Sequence, residues 1–461
     1  MLFNSISFLI FLPIVFILYW FVFNKRLKYQ NILILLSSYV FYGWWDWRFL
    51  SLILLSTIVD YLVGLKMDSS ASERKRKALL WISISFNLGL LGVFKYYNFF
   101  IDSWIDLLGK FGYVVEGVST LDIVLPVGIS FYTFQTMSYS LDIYRKQLKP
   151  TKDFIAFASF VSFFPQLVAG PIERASNLLP QMLNPRKFNY NRGVEGVFLI
   201  LNGFLRKIVL ADSFAVYVNK TWDSIETSSA LSLIFAAIFF GMQIYLDFSG
   251  YTNIARGISK LLGFELMINF DRPYLARNIN AFWSRWHISL STWFKDYVYI
   301  PLGGNRVSAK RWALNITIVF LLSGLWHGAN WTYIIWAVIH VLMYFYDKYL
   351  PKFSTLITTQ FAVFFAWIFF RSNSVSEASY YIKSIFTNEI YISVSNLFQA
   401  IGALNMAFLV VNFFVIFILY KVEDRFKNYS TYSKVTALSI ILTYICLFFE
   451  KDGGQFIYFQ F

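Results

Sequence analysis

Charged residues are scarce in this chain of 461 residues. Asp, Glu, Lys and Arg supply 14% of it, whereas 57% of its residues are hydrophobic. Because a soluble globular chain is about 25% charged, this composition excludes a large water-soluble core. Apolar runs long enough to cross a bilayer recur along the sequence. We therefore predict an all-α polytopic membrane protein with about 11–12 transmembrane helices plus re-entrant helices.

Cysteine is almost absent. The single Cys446 lies in the apolar run from Leu442 to Phe449, and one cysteine excludes an intrachain disulfide and a cysteine metal cluster. We interpret it as a small residue buried among apolar side chains. The three histidines lack the spacing of a zinc site, and no phosphate-binding loop of the ATPase kind is present. The sequence therefore predicts neither a metal site nor a bound cofactor.

Acidic residues are outnumbered by basic ones. The net charge is +14, from 40 Lys and Arg against 26 Asp and Glu. The cations cluster in short loops between apolar runs, which is typical of cytoplasmic loops that contact anionic headgroups or phosphorylated ligands. We therefore expect a membrane as partner and no nucleic acid.

The distribution of positive charge orients the chain. A first apolar run, about residues 7–23, is followed by Lys25 and Arg26, which predicts an extracytoplasmic N-terminus. No basic residue precedes this run and no cleavage site follows it, so we interpret it as a retained span. The basic segment from Glu73 to Lys77 is the strongest cytoplasmic marker.

Three of the predicted spans are unusual. Residues 124–143 are crowded with Ser, Thr, Tyr and Gln, so this helix should face a cavity or a packed interior. Residues 154–168 have basic residues on both sides, which predicts a re-entrant segment. Residues 193–218 form a span that Arg206 and Lys207 interrupt.

The remaining chain follows the same pattern. Residues 312–346 are long enough for two spans, with breaks predicted at Gly324 and at residues 328–330. The mixed segment 95–120 and the polar segment 372–399 are assigned to the outer face. Neither an internal repeat nor a soluble domain is visible, so we predict a single membrane-embedded domain over residues 1–461.

Two of the three histidines lie in one stretch, from Phe282 to Trp331, which we interpret as the catalytic stretch. An ionisable group at membrane depth is costly unless it is paired, solvated or useful. Acyl transfer from a thioester needs a base that accepts a hydroxyl proton. Neutral histidine suits this role because its unperturbed pKa, ~6.5, lies near the working pH.

We predict that His327 is this general base, with Trp326 excluding water and with Asn330 or Ser323 orienting the ring. The alternative is a core histidine that is hydrogen-bonded within the bundle. For His287, substrate positioning or assistance in proton transfer stands beside a purely structural role. For His340, further along the chain, we favour a structural role.

A basic, glycine-bearing segment separates the two histidines of the stretch. Its turn at residues 301–306 offers backbone amides and an arginine to a phosphate. Taken alone, this pattern favours a simple interfacial turn. Together with the surrounding basic residues it predicts that the anionic end of a CoA thioester binds here, at the cytoplasmic face, with topology-setting charge as the alternative. The candidate donor-binding residues are Arg285, Lys295, Gly303, Gly304, Asn305 and Arg306.

Several segments, taken in order, resemble the membrane-bound O-acyltransferase (MBOAT) family. The strongest are Trp286 to Trp293, Ile300 to Arg306 and Leu322 to Trp331. The others are Pro126 to Phe131, Ala169 to Ile172, Asp247 to Tyr251 and Phe456 to Phe461. The resemblance covers nearly the whole chain.

This resemblance implies a helical bundle around a central tunnel, with His327 as the essential histidine and His287 as a second functional one. It implies acetyl-CoA as a cytoplasmic donor substrate, a polysaccharide such as alginate as acceptor, and the bacterial cytoplasmic (inner) membrane as location. Because the chain lacks a soluble hydrolase-like domain, we also expect a periplasmic or cell-surface acetyltransferase partner of the SGNH-hydrolase type.

Other activities stay open. Relatives that acylate peptidoglycan, cellulose or teichoic acid, the last with D-alanine, share the same core, so the motifs do not decide the acceptor or the acyl group. A secondary transporter of an anionic solute is the alternative from a different class. It predicts paired inverted halves, which the sequence does not show.

Overall fold

The computed structural model of the chain describes residues 1–113, 120–121, 123–388, 403–450, 454 and 456–457, and every regular element among them is helical. The α-helices are α1 (Ile6–Ile17), α2 (Leu27–Asp46), α3 (Leu50–Asp68), α4 (Glu73–Leu91), α5 (Tyr97–Lys110), α6 (Ile129–Tyr144), α7 (Phe154–Ser162), α8 (Ala175–Leu183), α9 (Tyr190–Phe204), α10 (Asp212–Trp222), α11 (Ala230–Leu261), α12 (Ile279–Trp283), α13 (Ile288–Phe294), α14 (Ala309–His327), α15 (Trp331–Tyr349), α16 (Leu356–Arg371), α17 (Val375–Thr387), α18 (Ala403–Arg425) and α19 (Thr431–Phe448). Wider π-helical turns lie at Leu18–Val22, Gly92–Tyr96, Leu205–Ala211 and Lys295–Tyr299.

Within the described ranges, four helical stretches are long and apolar enough to cross a membrane. They are α2 with α3 (Leu27–Asp68), α4 with α5 (Glu73–Lys110), α11 and α19. Two shorter apolar helices are Ile6–Val22 and Leu356–Arg371. The prediction of an all-α polytopic membrane protein is therefore confirmed, while the count of about 11–12 spans stays a prediction.

The chain divides into two compact units. The first comprises Met1–Asn189, Leu261–Met267 and Thr292–Pro301, and the second comprises Tyr190–Lys260, Ile268–Ser291 and Leu302–Phe461. His287 and His327 both belong to the second unit. That residues 1–461 form a single domain stays a prediction.

A buried carboxylate organises the polar interior of the first unit. Asp60 of α3 is fully buried and accepts hydrogen bonds from the hydroxyls of Ser83 in α4 and Ser140 in α6, the latter at 2.9 Å. Asn87 Nδ2 of α4 donates to Asp60 at 2.8 Å, and Thr136 of α6 donates to Asn87 at 3.2 Å. Polar groups at membrane depth need protein partners. The polar helix α6 therefore lies in a packed interior, as the sequence predicts.

Arg76 connects three helices of this unit through their ends. Its guanidinium donates to Met67 O of α3 at 2.9 Å, and to Ile143 O and Tyr144 O of α6 at 2.9 and 2.8 Å. The last carbonyls of a helix lack partners within the helix and carry partial negative charge, so a cation stabilises them. Arg76, which belongs to the basic segment predicted to be cytoplasmic, therefore stabilises the packing of these three helices.

The predicted re-entrant segment contains a short buried helix, α7. Its nine residues are about 14 Å long, whereas the hydrocarbon core is about 30 Å thick. The Asp153 side chain caps its first turn through Ala156 N at 3.0 Å, and the backbone leaves the helical conformation at Phe163. A helix this short fits a re-entrant segment, whose depth in the membrane stays a prediction.

In the second unit, paired glycines allow α9 and α11 to cross in close contact. A Cβ atom on Gly203 would lie 2.5 Å from Gly250 O, and one on Gly257 would lie 2.5 Å from Gly196 O. Small residues at a crossing let the backbones of membrane helices approach each other. The glycine in the segment from Asp247 to Tyr251 is therefore explained by helix packing.

The predicted interruption of residues 193–218 is confirmed as the π-helical turn between α9 and α10. Its Lys207 is 2% exposed and lies 2.7 Å from Asp247 Oδ1 and 2.9 Å from Asp212 Oδ1. Its Arg206 pairs with Glu423 at 2.6 Å. Buried cations persist only with such partners, so these two residues hold the unit together.

The stretch around His327 folds as two helices, α14 and α15, joined at residues 328–330 as the sequence predicts. The second predicted break, at Gly324, is wrong, because this residue lies inside α14. A Cβ on Gly324 would lie 2.6 Å from the backbone O of Tyr333 in α15. Gly324 therefore permits close packing of the two helices instead of ending one of them.

The prediction that Cys446 is buried is wrong. Cys446 is exposed, because a membrane helix presents apolar side chains to lipid as well as to the interior, and an apolar run does not distinguish the two faces.

Helix α11 contains two basic residues, Arg256 and Lys260, before it ends at Leu261. Lys260 pairs with Glu195 at 3.2 Å, so its charge is compatible with a helix interior.

Parts of three predicted segments lie outside the described residues. Of the outer segment 95–120, the structure describes α5 and its surroundings up to residue 113, and residue 120. Of the segment 372–399, it describes residues 372–388, which include α17. Of the matching segment 456–461, it describes residues 456 and 457, where Ile457 N donates to Asp247 Oδ2 at 2.9 Å.

Candidate active site

His327 is the last residue of α14 and is 4% exposed. Its imidazole meets the rings of Trp326, Trp336 and Phe370 edge to face, at centroid distances of 5.0, 5.1 and 5.2 Å. Walls of this kind exclude water and strengthen electrostatic interactions inside a site. His327 therefore occupies the apolar aromatic setting that the sequence predicts, while its role as base stays a prediction.

Trp326 lies between the two candidate histidines. Its ring centroid is 5.7 Å from that of His287 and 5.0 Å from that of His327, and the indole is 4% exposed. Residues that are 40 positions apart in the sequence thus share one aromatic wall. The structure brings together the three residues on which the acyl-transfer hypothesis most depends.

His287 is held in an unusual conformation. It is completely buried and has a backbone φ of +42°, in the left-handed region that non-glycine residues rarely occupy. Its Nδ1 lies 3.2 Å from Asn269 Oδ1, and Asn269 O accepts a hydrogen bond from Ile288 N at 2.9 Å. Local strain of this kind persists only where the surrounding structure enforces it, and it concentrates at functional sites.

The charge state of His287 follows from its burial. The residue lies in the turn between α12 and α13, outside the membrane-spanning helices. Desolvation lowers the pKa of its imidazole to about 3, because burial disfavours the charged form. The ring is therefore neutral near pH 7, so one nitrogen carries the proton and the other carries a lone pair.

Of the predicted supporting residues, Asn330 holds the loop after His327, and Ser323 lies on the same helix as His327. Asn330 caps α15, since its Oδ1 accepts from Thr332 N at 3.0 Å and its Nδ2 donates to Asn373 O at 2.7 Å. These bonds fix the loop that follows His327 and do not involve the imidazole itself. Ser323 is buried one turn before His327 on the same face of α14.

Residues 303–306, which we predict to bind the donor, form a tight turn. Gly303 and Gly304 have φ values of +105° and +58°, and Arg306 N donates to Gly303 O at 3.2 Å. Asn315 Nδ2 donates to Gly304 O at 3.1 Å, which ties the turn to α14. Its backbone conformation lies in the region that favours glycine.

The side chains of the predicted donor site are largely accessible. Asn305 and Arg306 are exposed and Arg285 is half-buried, all three in the second unit. Lys295 is exposed and belongs to the first unit. Binding of a phosphorylated donor by these residues stays a prediction.

His340 departs from an ordinary core histidine. It is 1% exposed, and among the described residues neither ring nitrogen has a hydrogen-bond partner. Its ring meets those of Trp336 and Trp283 at 4.8 and 5.0 Å. Trp336 contacts both His340 and His327, so it extends the aromatic wall in a way that the sequence did not indicate.

Asn269 is the other residue that sequence reasoning missed. It is fully buried, and its Oδ1 is the partner of His287 Nδ1. A lone asparagine in the segment between α11 and α12 belongs to no motif, and only the folded loop brings it to the histidine. Throughout the described ranges, no three His, Cys, Asp or Glu side chains come together as a metal ligand set.

The fold and this site define a polytopic membrane protein with a buried, aromatic-walled histidine centre. The model of the membrane-bound O-acyltransferase family matches residues 48–386. The chain belongs to this family and is a membrane O-acyltransferase.

Curated relatives with several acceptors are similar to the chain. The probable alginate O-acetylase AlgI of Pseudomonas aeruginosa is 37% identical over 431 residues, which cover 90% of this chain and 81% of that protein. The peptidoglycan O-acetyltransferase of Helicobacter pylori is 33% identical over 84% of this chain and 80% of that protein. The teichoic acid D-alanyltransferase of Bacillus subtilis is 29% identical over 50% of this chain and 62% of that protein.

Proposed function

We propose that the protein transfers an acetyl group from cytoplasmic acetyl-CoA to an extracytoplasmic polysaccharide of the alginate type. The observation that carries the chemistry is the arrangement of His327, Trp326 and His287 within one buried aromatic wall. The long matches to O-acetylating relatives support acetyl as the acyl group. The match named for alginate supports the polysaccharide.

In this proposal His327 acts as general base. Its unprotonated ring nitrogen removes the proton of an acceptor hydroxyl, and the hydroxyl oxygen attacks the thioester carbonyl carbon. The carbon–sulfur bond breaks, and CoA leaves as a thiolate that takes up a proton. The walls formed by Trp326, Trp336 and Phe370 keep bulk water from competing with the acceptor.

The donor would enter from the cytoplasm. The turn at Gly303 and Gly304 offers backbone amides, and Arg285 and Arg306 of the same unit offer guanidinium groups, of the kind that bind phosphate. The acceptor side would involve a periplasmic or cell-surface acetyltransferase partner of the SGNH-hydrolase type. The protein would reside in the bacterial inner membrane with its N-terminus extracytoplasmic.

Peptidoglycan acetylation is the second candidate, supported by the 33% identity over 84% of the chain. D-alanyl transfer to teichoic acid has weaker support, because that similarity covers half of the chain. The donor distinguishes acetylation from D-alanylation, and the acceptor distinguishes the two acetylations.

The experiment supplies purified protein in proteoliposomes with radiolabelled acetyl-CoA, with and without the partner acetyltransferase. It follows thiol release and label in added alginate or peptidoglycan. A D-alanyl carrier protein in place of acetyl-CoA is the parallel reaction. Thiol release from acetyl-CoA with label in alginate is expected. Label only in peptidoglycan would show that peptidoglycan, and not alginate, is the acceptor. Turnover only with the D-alanyl carrier would contradict acetyl-CoA as the donor.

A further inference from the structure

We infer that Asn269 is a positioning residue that fixes the imidazole of His287 in one tautomer, with the proton on Nδ1 and the lone pair on Nε2. The tautomer follows from the hydrogen bonds of Asn269 and from the burial of the ring. Its importance for turnover rests on the proposed acyl transfer.

The orientation of the Asn269 amide is the first step. Its Oδ1 lies 3.1 Å from the backbone N of Ser289 and 2.8 Å from the Ser289 hydroxyl. A backbone N–H group can only donate, so the amide atom that it meets must be the carbonyl oxygen. The NH₂ group of Asn269 therefore lies on the other side, and this oxygen acts only as an acceptor.

The tautomer of His287 follows from that orientation. Its Nδ1 lies 3.2 Å from the same oxygen, and two groups that only accept do not form a hydrogen bond. Nδ1 must therefore carry the hydrogen. Because the buried ring is neutral, Nε2 keeps a lone pair and can accept a proton but cannot donate one.

Several contacts restrict both the backbone and the ring of His287. Asn269 uses its backbone as well, since its carbonyl oxygen accepts from Ile288 N at 2.9 Å. The carbonyl of His287 accepts from Ser291 N at 2.9 Å in the first turn of α13. Phe248 meets the imidazole edge to face at 4.8 Å, which blocks rotation of the ring. Asn269 therefore sets both the backbone and the ring of a histidine with φ of +42°.

A purely structural role explains Asn269 incompletely. The residue is fully buried, yet among the described residues its Nδ2 has no hydrogen-bond partner. Buried side-chain amides are normally satisfied at both ends, so an exception needs a reason. An oxygen of a bound substrate is the class of group that would accept from this donor.

The first test measures the tautomer directly. The chain has three histidines, so ¹⁵N-histidine labelling gives three ring pairs, and substitution of His327 and His340 by phenylalanine assigns the third pair to His287. We expect the ¹⁵N shifts of a protonated Nδ1 and an unprotonated Nε2 in the wild-type protein. A protonated Nε2 on His287 would overturn the inference, whether or not the protein transfers acetyl groups.

The second test links the tautomer to turnover. Asn269→Leu removes the acceptor and should lower kcat by about 10²-fold or more, because the other tautomer puts a hydrogen on His287 Nε2 and removes its assistance to the proton transfer at His327. Asn269→Asp keeps the acceptor and adds a negative charge, which favours the protonated imidazole. Because His287 can accept a proton only while Nε2 is unprotonated, the activity of this variant should fall on the acidic side at a higher pH than that of the wild type.

Ser289→Ala is the matched control. It removes one donor to Asn269 and a hydroxyl that lies 3.4 Å from His287 Nδ1, but it keeps the backbone N–H that orients the amide. It should retain the tautomer and lose much less kcat than Asn269→Leu does. Wild-type activity and an unchanged tautomer in a folded Asn269→Leu protein would refute the positioning role.

Discussion

The close packing of α14 against α15 makes Gly324 the position where a single methyl group should disturb the active site most cleanly. A Cβ there would lie 2.6 Å from the backbone O of Tyr333 and 3.1 Å from Ala337 Cβ. Ordinary van der Waals contact begins near 3.4 Å, and a backbone oxygen in a helix cannot rotate away. In Gly324→Ala the two helices must therefore separate by several tenths of an ångström.

The change in the free energy of unfolding for Gly324→Ala can be estimated from two opposing effects. Overpacking costs about 1–3 kcal/mol, and the better helix propensity of alanine returns up to about 1 kcal/mol. A net loss of about 1–2 kcal/mol leaves the protein folded. His327 follows Gly324 on the same helix, and a shift of about 1 Å in a catalytic group can cost about 10²-fold in rate.

Thermal unfolding followed by tryptophan fluorescence, which the 15 tryptophans make sensitive, should show a small decrease in midpoint. The initial rate of acyl transfer by Gly324→Ala should fall strongly, although the protein stays folded. Gly89→Ala in α4 is the matched control, because no atom of the described residues lies within 4 Å of its added Cβ, so it should raise the unfolding midpoint slightly and leave the rate unchanged. A Gly324→Ala variant with wild-type rate would refute the proposed coupling between helix packing and the histidine.

Two further predictions concern the interior of the second unit. Lys207→Met leaves the carboxylates of Asp212 and Asp247 buried without their cation, and should destabilise the protein by about 3–5 kcal/mol. Chemical denaturation in detergent checks this, and unchanged stability would contradict the ion cluster. His340→Phe removes two buried ring nitrogens that lack hydrogen-bond partners among the described residues. Each such nitrogen destabilises the fold by about 1–3 kcal/mol, so the stability of the variant should equal or exceed that of the wild type, and activity should be retained. Loss of activity in a stable His340→Phe protein would show instead that this histidine takes part in turnover.

The sequence predicted the features that depend on a single segment of the chain and on whether that segment lies in the membrane. The polar residues of α6 required protein partners in any membrane fold, and Asp60 and Asn87 supply them. The cations Arg206 and Lys207 required an irregular helix with counterions. His327 was identifiable because its flanking aromatic and glycine residues are neighbours in sequence.

Other features depend on which segments meet. Asn269 reaches His287 only through the return of a loop, and Trp336 reaches His327 only through the packing of α14 on α15. Cys446 could not be assigned to a face, because lipid and protein interior select the same apolar side chains. Gly324 resembled a helix end because glycine serves both chain reversal and close helix contact.

The central claim is that His327 is the base of an acyl transfer. It is tested most directly by the rate of thiol release from acetyl-CoA in His327→Ala, beside Leu322→Ala, an exposed position on the same helix. The account predicts a loss of about 10²-fold or more in His327→Ala with an unchanged unfolding midpoint, and wild-type turnover in Leu322→Ala. Acyl transfer at the wild-type rate by a protein that lacks His327 would contradict it.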